Sequence, residues 1–97
     1  MGHAEDAEGA FRKEIELYPK NPRPYKNLIL LYVTEGKNDA ATHLIFAMEK
    51  AAPTPPTYLA ISETLRVIGD INGAHFWAAR GLSRFPNNRE LQVKVRG

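Results

Sequence analysis

Four sets of residues in this chain have types and spacings that could do chemistry: Gly36-Lys37, the run Asp70-Ile71-Asn72-Gly73, the histidines His43 and His75, and the serines Ser62 and Ser83. A phosphate-binding loop needs a glycine five residues before its Gly-Lys and a hydroxyl residue after the lysine. Leu31 and Asn38 stand at those places, so Gly36-Lys37 reads as a turn. A calcium loop needs a third oxygen-bearing residue ahead of its glycine and a distant bidentate glutamate. The run at 70–73 lacks both and reads as a helix start. His43 and His75 fall in different segments, which argues against a shared metal, and His3 belongs to the extreme terminus. Neither serine has a sequence-level case for a base and an orienting acid. The expectation is a chain without intrinsic catalysis, cofactor or metal.

What remains for function is surface. Arg23, Lys26, Leu30 and Val33 recur at three and four residues, so on a helix they share one face, distinct from the face of Leu28 and Tyr32. A face that mixes cations with exposed apolar side chains is suited to a partner.

The elements that must position this face follow from a repeat. Pro19, Pro53 and Pro86 each close an amphipathic stretch; Ala7, Ala41 and Ala74 stand 12 residues before them, and Phe11, Ile45 and Ala78 stand 8 before. The last two units also agree upstream, pairing Tyr25 with Tyr58, Leu28 with Ile61, Tyr32 with Leu65 and Gly36 with Gly69. Proline spacings of 34 and 33 residues lie where each unit is a helix-turn-helix hairpin. The pattern predicts a first helix from about Ala4 to Tyr18, then helices near 22–35, 38–51, 56–68 and 71–84, and a short last helix ending near Val95. Asn21-Pro22 and Thr54-Pro55-Pro56 provide proline-led starts. Gly36 and Gly69 end the first helix of each hairpin, and Asn87 with Glu90 has capping-box spacing. Trp77 and the tyrosines Tyr25, Tyr32 and Tyr58 read as hairpin core.

In the middle unit Tyr25, Leu28, Tyr32, Gly36, Ala41, Ile45, Met48 and Pro53 follow the signature of the tetratricopeptide repeat family, which the chain resembles over nearly its whole length. Ile29 and Ser62 replace the small glycine of that signature, Met48 and Gly81 straddle its usual alanine, and Glu14 occupies the alanine position of the first unit. The resemblance implies an all-α fold, a right-handed superhelical stack of antiparallel hairpins forming one domain over 1–97. Residues 4–21 would be the second helix of a partial repeat, 22–54 and 55–88 two repeats, and 89–97 a short capping helix. It also implies a non-catalytic protein-interaction module that takes a partner segment in a concave groove. Its lining would be Arg23, Lys26, Asn27, Leu30, Val33 and Thr34 from one repeat, and Leu59, Glu63, Arg66 and Val67 from the next, with Pro56 and Ala60 beside them. Pro56 and Ala60 stand where family members that clamp a carboxylate tail carry cations. An extended or helical segment with acidic and hydrophobic residues is therefore the expected partner.

Charge and composition bound the alternatives. Residues 66–97 hold six cations against Asp70 and Glu90, an end to which nucleic acid could bind, but the chain as a whole is only +2 and few aromatics are free to stack on bases. Nucleic acid is not the expected ligand. A spacer or self-association element of a larger protein is the structural alternative, with weak homo-oligomerisation expected through the partial N-terminal repeat. The longest apolar run, Leu28 to Val33, is too short to span a bilayer, so no membrane partner is expected. Zero cysteines exclude disulfides and thiolate chemistry and are compatible with a reducing cytoplasm.

Overall fold

The computed structural model describes residues 3–96; the side chains of residues 3–5 and Gly97, the last residue of the expected 89–97 capping segment, lie outside the described residues. The described residues form six helices and no strand: α1 (His3–Leu17), α2 (Pro22–Thr34), α3 (Asn38–Ala51), α4 (Pro55–Ile68), α5 (Ile71–Arg84) and α6 (Arg89–Arg96). Their bounds fall within a residue or so of those the periodicity predicts. The chain divides into two compact units, Met1–Ala52 and Pro53–Gly97.

Local chemistry explains where the helices start and stop. At α2, Asn21 Oδ1 accepts from the Arg23 amide at 3.1 Å, and Pro22 sits where a missing donor costs nothing. Gly36 (φ 76°) and Gly69 (φ 99°) take the left-handed conformation. In each turn the next amide folds back, Lys37 N to Tyr32 O at 2.7 Å and Asp70 N to Leu65 O at 2.9 Å. These are Schellman closures that satisfy carbonyls the helix end would leave unpaired. At α5 the Asp70 carboxylate accepts from the Gly73 amide at 2.9 Å, so the run considered for calcium is a helix start. Asp70→Ala is expected to cost about 1 kcal/mol, read as a lower urea midpoint with an unchanged slope.

One cap differs from the expectation. The residue that caps α6 is Asn88, whose Oδ1 accepts from the Leu91 amide at 3.0 Å, and not Asn87. Pro86 and Asn87 are consumed in the preceding turn, so Arg89 is the first helical residue and Glu90 lies one position too early to close a capping box.

In the first unit α2 packs on both α1 and α3. Its buried face carries Tyr25, Leu28, Ile29 and Tyr32, met by Ala41, Ile45 and Met48 of α3. The Tyr25 hydroxyl donates to Pro19 O at 2.9 Å, which fixes the turn leading into α2. From α1, Phe11 and Ile15 are only half-buried.

In the second unit α4, α5 and α6 all pack together. Tyr58 is fully buried, its ring centroid 6.4 Å from that of Trp77 and 6.3 Å from that of Phe85. Ser62 is buried and donates its hydroxyl to Ala74 O at 2.9 Å. Gly81 also has a reason: a Cβ there would lie 2.6 Å from Tyr58 Cβ, so α4 and α5 approach as closely as they do because position 81 has no side chain. Leu91 anchors α6.

Candidate protein-binding surface

Most of the residue types that suggested chemistry have structural roles. The amides of Gly36 and Lys37 donate to Val33 O and Tyr32 O, which removes the donors a phosphate would need. Ser62 is buried with its hydroxyl committed to Ala74 O, and Ser83 is exposed on α5. His43 has an acid one helical turn before it, Asp39, but its Nδ1 pairs with the main-chain carbonyl of that residue at 2.9 Å. His75, on α5, has a buried Nε2 without a hydrogen-bond partner. Among the described residues no three potential metal ligands come together, and no helix is long and apolar enough to cross a membrane.

All ten residues predicted for partner binding lie on α2 or α4, and none belongs to the buried core. On α2, Arg23, Lys26 and Thr34 are exposed and Asn27, Leu30 and Val33 half-buried. They occupy the side opposite Pro24, Tyr25, Leu28, Ile29 and Tyr32 because 3.6-residue periodicity separates the two sets around the helix. Thr34 is less available than its exposure suggests, since its hydroxyl donates to Leu30 O at 2.8 Å. α2 carries no acidic residue, so this face is a cationic edge, Arg23 and Lys26, running into an apolar one, Leu30 and Val33.

On α4, Val67 is 76% exposed, the largest exposure among the big apolar side chains, with Glu63 exposed and Leu59 and Arg66 half-buried. Glu63 meets Lys94 of α6 at 3.5 Å. Sequence reading missed Lys94, because nothing in its type or position pairs it with a residue 31 places earlier. The pair screens the carboxylate and leaves the α4 face less acidic than its sequence suggests.

A second feature was also missed. In the first unit Glu8 accepts from Arg12 and from the Tyr32 hydroxyl, each at 2.9 Å, and Arg12 also hydrogen-bonds Tyr32 while its guanidinium lies over the Tyr32 ring at 5.8 Å. The hydrogen bonds from Arg12 and then Tyr32 hold the Glu8 carboxyl below its usual range, and burial pushes the Tyr32 phenol up. The i,i+4 spacing of Glu8 and Arg12 was a legible signal; their joint attachment to Tyr32 was not. This network ties α1 to α2 and borders an open cleft of about 370 Å³ lined further by Ala40, His43, Leu44 and Ala47.

The surface can hold an extended or helical segment by apolar contact at Leu30 and Val33, with carboxylates oriented by Arg23 and Lys26. In comparisons of sequence, no family model and no curated protein matches this chain.

Proposed function

We propose that the chain is a tetratricopeptide-type module, a right-handed superhelical stack of antiparallel hairpins that binds a protein partner and performs no catalysis itself. The partner is a segment carrying acidic and hydrophobic residues. The observation that supports this reading best is the α2 face: Arg23, Lys26, Leu30 and Val33 form one accessible stripe, free of acids, on a helix whose opposite side is core. Cations at the edge of such a stripe give orientation and association rate, and the apolar residues give most of the affinity. The α4 residues Leu59, Glu63, Arg66 and Val67 belong to the same proposal as the corresponding face of the next hairpin.

The test is affinity capture from a source-cell lysate by wild type and by a Lys26→Glu, Leu30→Ala, Leu59→Ala variant whose helical content is unchanged by circular dichroism. Loss of a captured partner with the variant is the expected result, and once that partner is in hand its affinity is expected to fall at least about tenfold, a loss of about 1.4 kcal/mol. Equal capture by both proteins would move the site off these faces, and capture by neither would leave the chain a spacer.

A further inference from the structure

We propose that copies of this chain associate head to tail, with the exposed stripe of α6 on one copy seated on the exposed stripe of α1 on the next. Each helix has a side that its own unit uses and a side that it leaves open. α1 turns Glu8, Phe11 and Ile15 toward α2, while Ala10, Glu14, Leu17 and Tyr18, spaced at three and four residues, are exposed. Leu17 and Tyr18 are each 62% exposed, so the open side of α1 is apolar at one end and carries a carboxylate at its middle. α6 buries Leu91 completely and exposes Arg89, Val93 and Arg96, again at spacings of four and three. Val93 is 63% exposed between two arginines that make no ion pair among the described residues, Lys94 alone being committed to Glu63.

The two stripes are complementary in charge and in character. At its exposed positions α1 carries Asp6, Glu14 and Glu16 against Arg12 and Lys13, and α6 carries Arg89 and Arg96 against Glu90. Setting α1 on α1 would bring Glu14 toward its own copy, and α6 on α6 would bring Arg89 and Arg96 toward theirs. Only cross-pairing can set an α6 arginine, Arg89 or Arg96 according to the direction of the pair, beside Glu14 while Val93 meets Leu17 and Tyr18. Charge therefore selects a second copy in the heterologous arrangement over either symmetric one. Such a heterologous contact is not closed at the dimer by its own symmetry, so growth past the dimer is the expected result.

The affinity is set by size. An eight-residue helix on a 15-residue one is far smaller than the roughly 800 Å² per partner of a stable interface, so association is weak and transient, in the range of about 0.1–1 mM. Exposed charges are screened by salt, so it weakens as ionic strength rises.

The test is sedimentation velocity on the full chain from about 10 μM to about 1 mM, at low and at high salt, with two double variants at exposed positions. Glu14→Gln with Leu17→Asn disables the α1 stripe; Arg89→Gln with Val93→Asn disables the α6 stripe. Wild type is expected to gain mass beyond the dimer at low salt. Each variant alone is expected to associate at least about tenfold more weakly, with unchanged helical content. An equimolar mixture of the two is expected to recover a dimer and stop there, because only one intact α6 and one intact α1 can meet. A wild type that stays monomeric at about 1 mM and low salt overturns the proposal. So does a mixture that forms no dimer, and so does either variant that associates alone as the wild type does.

Discussion

Tyr58→Ala is expected to destabilise the second unit by about 3–5 kcal/mol, a large part of the roughly 5–15 kcal/mol that holds a small domain folded. Tyr58 is fully buried, stacks on Trp77 with an interplanar angle of 28° and meets Phe85 at 55°. Truncation keeps the Cβ opposite Gly81 but removes the ring from Cγ outward, with its two aromatic contacts, and leaves a void that a glycine cannot fill. Trp77 is the only tryptophan in the chain, which makes its fluorescence a direct reporter of this unit during urea unfolding. A loss below about 1 kcal/mol would mean that α4 and α5 are not held by this aromatic cluster.

The second large effect turns on a competition of two terms. In a helix interior Gly→Ala normally gains about 1 kcal/mol. At Gly81 the added methyl would lie 2.6 Å from Tyr58 Cβ and 2.7 Å from its Cγ, atoms at the root of a buried side chain that cannot swing aside. Overpacking of this kind costs about 1–3 kcal/mol after local relaxation, and that term is expected to win. Gly9→Ala serves as the internal control: Gly9 is also helical, but a Cβ there meets nothing within 4 Å, so the propensity gain is uncompensated and the change is expected to stabilise. Opposite signs for one substitution at two helical glycines, read from urea midpoints at constant slope, are the expected result. A stabilised Gly81→Ala would show that α4 and α5 have room to part.

Both effects depend on an approach of two helices that the sequence indicates only indirectly. The repeat register shows that a small residue belongs near position 81, from the spacing of Ala74 and Ala78 before Pro86. It does not show why glycine and not alanine, because the answer is the backbone path of Tyr58, 23 positions away. Ser62 is similar: the sequence marks it as a departure from glycine, and the structure supplies the acceptor, Ala74 O, that makes a buried hydroxyl affordable.

The proposed partner-binding face was legible to a different degree. The residues proposed for it were assigned by resemblance and periodicity, and they lie outside the buried core of α2 and α4, exposed or half-buried, because each helix has only one side to bury. The electrostatics of that face were less legible. Nothing in the sequence indicates that α6 brings Lys94 to 3.5 Å from Glu63, or that Arg12 joins Glu8 at Tyr32.

The sequence by itself determined what is local: helix bounds, the glycine turns at 36 and 69, and which face of each helix is apolar. These follow from capping atoms, left-handed backbone and 3.6-residue periodicity, all of which act over a few residues. Tertiary structure decided the Tyr58–Gly81 contact, the Ser62 hydrogen bond, the Glu8–Arg12–Tyr32 network and the Glu63–Lys94 pair. Each joins groups from different helices, and their meeting depends on the packing of those helices against one another, which no short stretch of residues encodes.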